Sequence, residues 1–434
     1  MNTTKLHILI ACFLVTSQLL QAQQTPAPKQ TMGIAIIGAT AHIGNGELIE
    51  NSIITFTNGK IQSVSANNGS TNTDGMEIIN AQGKHVYPGF IAPNSTLGLV
   101  EIDAVRATQD SDEIGFMNPN IRSLIAYNAE SKIVESMRPN GVLMGQIVPQ
   151  GSRISGTSSI VHFDAWNWED AAIKVDDGVH LNWPNAFSKG RWWLGEPAVL
   201  KPNKNYQEEL NKLNTFFASS RAYLSGDKPI KNLQYEGLSG ILEGSQKLYV
   251  HVDDEKGIID AIDFSKKNNV KMVIVGGYQA YKVGDLLKQN NIPVILNRVH
   301  SRPESDDDDY DLPFKSAKLL VDQGVLVALQ ANGRMERMNT RNLPFYAGTC
   351  VAYGLSKEEA LMLITSNTAK ILGIDSFCGT LEPGKDATLF ISEGDALDMR
   401  TNVLLKAYIQ GRDISLETHQ TELAKRYWDK YKNQ

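Results

Sequence analysis

The sequence predicts an α/β protein in which a (β/α)8 barrel carries a small β-sandwich domain built from both ends of the mature chain. Three observations predict it. Short apolar runs in the middle, among them LYVHV, NVKMVIVGG, IPVIL and GVLVALQAN, alternate with segments whose apolar residues recur every three or four positions. Runs of β-branched residues punctuated by turn pairs lie at both ends of the chain. A chain of 434 residues, 42% hydrophobic and 21% charged, can bury one barrel-sized core and a smaller one beside it.

The first segment, MNTTKLHILIACFLVTSQLLQAQQ, sets Lys5 before an apolar stretch of about 15 residues and closes on Leu20-Gln21-Ala22. It reads as a secretory signal over residues 1–22, cut after Ala22 because a small residue is needed beside the scissile bond. Export to the periplasm or the cell exterior is expected. No membrane span should remain, since no later segment reaches about 18 apolar residues. Leu9-Ile10-Ala11-Cys12 has the outline of a lipoprotein box, but Phe13-Leu14-Val15 carries the apolar run past the cysteine. Beyond Cys12 only Cys350 and Cys378 follow, too few for a disulfide scaffold, and whether they pair stays open.

Residues 23–88 hold MGIAIIGAT, GELIENSIITFTNGKIQSVSA and MEIINAQGKHVYPGF, strands separated by Asn-Gly, Asn-Asn and Gln-Gly turns. They form the first part of the sandwich. Residues 89–375 form the barrel, whose helices include EKGIIDAIDFSKKNN, FKSAKLLVDQG and SKEEALMLITSNTAKILG. Ser356 begins the last with Glu359 three residues on, a capping box. Residues 376–434 return to the sandwich through CGTLEPGKDATLFISEG and TNVLLKAYIQGRDI, then run into a helical tail. A doubly wound open sheet is the alternative for the centre, but no Gly-rich fingerprint follows any strand. Barrel function belongs at the loops after the strands.

The segment GKHVYPGFIAPNSTLG resembles the GKxVxPGxIDxHxH run of the amidohydrolase superfamily, and LGIDSFCGTLEPGKDATLFI resembles that superfamily's return to its sandwich. LYVHVDDEKGIIDAIDF, VIVGGYQAYKVGDLLKQNNIPVIL and SKEEALMLITSNTAKILG are similar to its imidazolonepropionase-like branch. The resemblance spans nearly all of the mature chain. It implies hydrolysis of amide or other C–N bonds by water on a divalent metal such as zinc, which lowers the water pKa from about 16 to about 7. It also implies where the ligands belong. The two histidines after the first barrel strand are here Asn94 and Thr96, and the histidine after the fifth is His251. The histidine after the sixth falls at Gly276, Gly277 and Tyr278, and the aspartate after the eighth is Asn332, an amide that cannot accept a proton as a carboxylate does. Only His251 survives, and roughly three protein ligands are needed to hold a catalytic ion. The metal site is degenerate. A divergent hydrolase of amides or peptides and an inactive pseudoenzyme that binds ligand or protein through the old cleft are both open readings.

Other residues are weighed as substitutes. Glu101 and Asp103, in LGLVEIDAVRATQD, are the first candidates for a compensating acid site, against a solvated loop. Arg334 and Arg337, after the last strand, are placed to grip a substrate carboxylate bidentately. His162, Asp164 and Trp166 share one strand face by alternation and line either a cleft or a packed aromatic layer. The acidic run RPESDDDDYD lacks the spacing of a calcium loop and reads as solvated. A net charge of −6 argues against a nucleic-acid partner. The expected partner is a small-molecule or peptide-like ligand, and a homo-oligomer is compatible with the sequence.

Overall fold

The computed structural model describes residues 25–432 apart from 191–193, 196–198, 228–229 and 334. The expected signal and Arg334 lie outside the described residues. The strands in chain order are β1 (Ile34–His42), β2 (Leu48–Thr57), β3 (Lys60–Ala66), β4 (Glu77–Asn80), β5 (His85–Pro88), β6 (Phe90–Ser95), β7 (Val142–Ile147), β8 (Ile154–His162) and β9 (Ala172–Asn182). A short hairpin, β10 (Phe187–Lys189) and β11 (Leu200–Pro202), comes next. After it follow β12 (Lys247–Val252), β13 (Met272–Gly276), β14 (Val294–Leu296), β15 (Val327–Leu329), β16 (Leu389–Ser392), β17 (Leu404–Ile409) and β18 (Arg412–Ile414).

The small domain is one eight-stranded sheet in the order β18-β17-β16-β5-β1-β2-β3, with β4 beside β1. Its two halves come from opposite ends of the chain and meet where β16 runs antiparallel to β5, Leu389 opposite Pro88 and Ser392 opposite His85. Ile36, Ile54, Phe56, Val86, Leu389 and Tyr408 pack as its core.

The second sheet, β15-β14-β13-β12-β9-β8-β7-β6, is the nearly closed barrel. All neighbours are parallel except at β8, which runs antiparallel to both β7 and β9. The C-terminal ends of the seven other strands share one end, the mouth. Because β8 is reversed, Ile154 stands level with Leu181 near the mouth, whereas His162 stands level with Met144 toward the bottom.

The bottom is filled. Ile91, Met144, Ile160, Val273 and Ile295 point inward and pack with Ala369, Ile371 and Leu372 of the helix Ser366–Leu372. Lys174 Nζ donates to Leu372 O at 2.8 Å and Lys247 Nζ donates to Ile371 O, which sets two cations on the negative end of that helix. Lys247, the first residue of its strand, thus faces away from the mouth, and burial lowers its pKa to about 8.

Local signals act as the sequence predicts. Glu359 N donates to Ser356 Oγ at 3.2 Å and Ser356 N donates to Glu359 Oε2 at 2.8 Å, the capping box. Asp254 caps the helix Glu255–Asn268, its Oδ1 accepting from Gly257 N at 2.9 Å. Cys350 and Cys378 are free and buried, and burial pushes the Cys350 thiol up to about 12. Among the described residues no helix is long and apolar enough to cross a membrane.

Candidate functional site

Side chains two residues apart on a strand share a face, and this rule builds the mouth. Above the apolar interior positions Met144, Ile160, Tyr249, Ile295 and Ala328 stand Gln146, Ser158, His251, Asn297 and Gln330, with Asn94 and His180 at the same level. These polar groups bond to one another. Asn94 Nδ2 donates to Gln330 Oε1, and Asn94 N donates to Gln146 Oε1 at 3.1 Å. Gln146 Nε2 donates to Asp177 Oδ2 at 3.0 Å and Gln330 Nε2 donates to Asn297 Oδ1 at 3.3 Å. Asn297 Nδ2 donates in turn to Asp253 Oδ1 at 2.8 Å. The barrel is apolar below and crossed near its mouth by a hydrogen-bonded polar layer.

Asp177 anchors that layer. It is 2% exposed, and burial raises its pKa, a push only partly countered by the hydrogen bonds it accepts from Ser158 Oγ at 2.6 Å and Tyr249 OH at 2.6 Å. Ser158 Oγ lies 2.9 Å from His180 Nε2, and His180 Nδ1 lies 2.9 Å from His251 Nε2. His180 stacks on the Tyr249 ring, centroids 4.7 Å apart at 7°. Burial holds the His251 pKa down at about 4 and the His180 pKa well below its usual value, where the neighbouring His251 lowers it further. Both imidazoles are neutral at neutral pH.

The positions that the family resemblance assigns to metal ligands are otherwise engaged. Asn94 sits at φ +50° with its amide spent on Gln330. Thr96 is tied to the segment after β15, its Oγ1 donating to Glu336 Oε2 at 2.7 Å. Gly276 has φ +102°, a conformation that strains any residue with a side chain, and a Cβ there would come within 2.7 Å of Asp253 Oδ1, so a histidine would need that carboxylate to shift as well. Asn332 lines the cleft with its Oδ1 accepting from Gly333 N at 2.7 Å. Among the described residues no three His, Cys, Asp or Glu side chains gather to hold an ion. A zinc-type centre needs such a set, and the residues at this mouth do not fit one.

Above the polar layer opens a cleft of about 1660 Å³. Asn182, His251, Asp253, Gly276, Asn297 and Asn332 form its floor, Trp183, Phe187 and Leu200 one wall, and Glu304, Asp306, Asp307 and Asp308 its rim. The acidic run is therefore folded over the mouth, where Tyr278 OH donates to Asp308 Oδ2 at 2.7 Å.

The other sequence candidates divide by end. Glu101 accepts from Asn128 Nδ2 at 3.1 Å and Ser131 Oγ at 2.9 Å, which ties down its own loop. Asp103 pairs with Arg337, whose Nη1 also reaches Thr96 Oγ1 at 3.4 Å, so this arginine is already engaged by a carboxylate of the chain. His162 and Trp166 lie at the bottom, with the barrel between them and His251. His162 is buried with no partner on either ring nitrogen among the described residues, and Trp166 is 64% exposed. Asp164 lies at the same end, and its partner Arg412 also acts on His162. Asp164 pairs with Arg138 at 3.0 Å and Arg412 at 2.7 Å. The residues that sequence reasoning missed, Gln146, Ser158, Asp177 and Gln330, carry one signal: most are polar at the mouth-side end of an otherwise apolar inward face.

Residues 318–418 match the Amidohydrolase family. A segment of 117 residues is 32% identical to the amidohydrolase tasK of Hapsidospora irregularis, covering 25% of this chain and 12% of that relative. The chain thus spans a small part of the curated relative it matches. Among solved structures, an amidohydrolase from Thermotoga maritima MSB8 aligns with TM-score 0.75 and 24% identity over 88% of this chain and 99% of its own. A Xaa-Pro dipeptidase with bound methionine aligns with TM-score 0.55 and 14% identity over 88% of this chain and 100% of its own. A molinate hydrolase aligns with TM-score 0.51 and 13% identity over 90% and 96%. These likenesses show the fold.

Proposed function

We propose that the chain is an exported amidohydrolase-family barrel that binds a small-molecule or peptide-like ligand in its mouth cleft without the family's zinc-type centre. The matched segment at 318–418 supports the family. One observation carries the rest: each position where the family would place a metal ligand, His251 excepted, holds a neutral residue that is tied into hydrogen bonds or has no side chain. Losing imidazoles from such a site removes the bonds that hold a transition metal. The cleft, by contrast, remains open and lined with polar and aromatic groups.

A second reading, hydrolysis of C–N bonds, is favoured by the family match together with the retention of His251 on the cleft floor. A panel of N-acyl amino acids and dipeptides separates the two. The binding reading predicts that some of these compounds raise the melting temperature while none is cleaved, with or without added zinc. Turnover abolished by His251→Ala supports the hydrolase and defeats the binding reading.

A further inference from the structure

The hydrogen-bond chain behind His251 has a direction. Ser158 Oγ carries one proton and receives Gln146 Nε2 at 3.2 Å; of the acceptors it can reach, Asp177 Oδ1 at 2.6 Å, His180 Nε2 at 2.9 Å and Gly178 O at 3.2 Å, the Asp177 carboxylate is the nearest and the only one that can carry charge, and it takes the proton. Asp177 already accepts on its other oxygen from Tyr249 OH at 2.6 Å and Gln146 Nε2 at 3.0 Å. Ser158 Oγ therefore faces His180 Nε2 as an acceptor, and Nε2 holds that ring's proton. A neutral imidazole has one N–H, so His180 Nδ1 is bare and accepts from His251 Nε2. The one proton of His251 is spent inside the wall. Its Nδ1 is left with a lone pair, on a ring that lines the cleft.

We propose that Asp177, Ser158 and His180 are positioning residues that fix His251 in the Nε2–H tautomer, making Nδ1 a dedicated acceptor for an N–H or O–H donor on the ligand. This rests on the ligand-binding reading above. The neighbouring amides are already held by the chain: Asn182 Nδ2 donates to Gly151 O and Ser152 O, Asn297 bonds through both ends to Asp253 and Gln330, and Asn332 Oδ1 accepts from Gly333 N. His251 Nδ1 can only accept. A ligand without a donor leaves it buried and unpaired, which costs more than a contact merely lost. Stacking of His180 on Tyr249 holds the ring plane through which the tautomer is transmitted.

Long-range ¹H–¹⁵N correlation spectra of the histidine-labelled chain at neutral pH test this, with His251 assigned by the signal missing in His251→Gln. The expected result is a His251 ring protonated at Nε2 and bare at Nδ1. A ring protonated at Nδ1, or an even mixture, overturns the proposal without any variant having to fold. Ser158→Ala is expected to shift His251 toward a tautomer mixture and Ser158→Thr, which keeps the hydroxyl, to restore the original pattern. An unchanged Ser158→Ala spectrum also overturns it. Acetamide, a donor, should move the Nδ1 resonance in proportion to its concentration, while N,N-dimethylacetamide should not. Equal responses, or none, defeat the assignment of Nδ1 as the donor-reading group. Zinc content of the same sample keeps the two claims apart: metal held on His251 defeats the ligand-binding reading, whereas the wrong tautomer in metal-free protein defeats only this proposal.

Discussion

Gly276 and His162 show how a single position constrains the account. At φ +102°, with Asp253 Oδ1 2.7 Å from where a Cβ would stand, Gly276→Ala is predicted to lower stability by about 1–3 kcal/mol in a urea titration. An unchanged midpoint would show that the strand end accommodates a side chain. His162 is buried at the bottom with nitrogens unpartnered among the described residues, and burial lowers its pKa from 6.5 to about 4, as it does for His251. Between those values the unfolded chain binds the proton and the folded chain does not, so stability falls as pH drops from about 6.5 to about 4. Each such histidine contributes on the order of 3 kcal/mol to that fall. His162→Leu should therefore flatten the dependence of melting temperature on pH in this window; a slope identical to that of the unmodified protein would count against it.

At the level of elements, much was legible. The strands at both ends, the parallel runs β12 to β15 and the capping box at Ser356 follow from alternation, apolar runs and side-chain chemistry. The reversal of β8 was not legible. Its inward face alternates whether the strand runs up or down, and direction is fixed only by pairing with β7 and β9. That one reversal carried His162 and Trp166 to the far end of the barrel from His251, a placement that alternation along the strand, which left a cleft and a packed aromatic layer both open, does not determine. The role of Glu336 in the segment after β15 was not legible for a related reason. Glu336, 5% exposed, accepts from Ser95 Oγ at 2.7 Å, Thr96 Oγ1 at 2.7 Å and Thr340 Oγ1 at 3.0 Å, pinning the end of β6 to that segment. A buried acid that receives three hydroxyls becomes visible only once β6 and β15 are neighbours. Glu336→Ala should cost about 2–3 kcal/mol by denaturant unfolding, because donors lose a charged acceptor in a dry site. A cost below about 0.5 kcal/mol, the range of ordinary surface changes, would contradict this role.

Across the whole molecule, the barrel and the small sheet are joined at Asp164. Its carboxylate, 3% exposed, binds Arg138 beneath the barrel and Arg412 on β18. Asp164→Ala would leave the buried Arg138 and the half-buried Arg412 guanidinium groups without that carboxylate, and a loss of about 3–5 kcal/mol in global stability is expected; a change within the error of a thermal melt would refute the joint. The family resemblance made the two-part architecture legible, since its outer segments mark where the chain leaves and rejoins the small sheet. It did not make the mouth legible, because the groups there are defined by what each bonds to across the barrel. That layer of mutually bonded polar side chains, set where the family resemblance would place a metal centre, is the central claim. Zinc titration of chelator-stripped protein, followed by calorimetry, tests it most directly: the account predicts no stoichiometric binding, and one ion bound per chain, lost in His251→Ala, would contradict it.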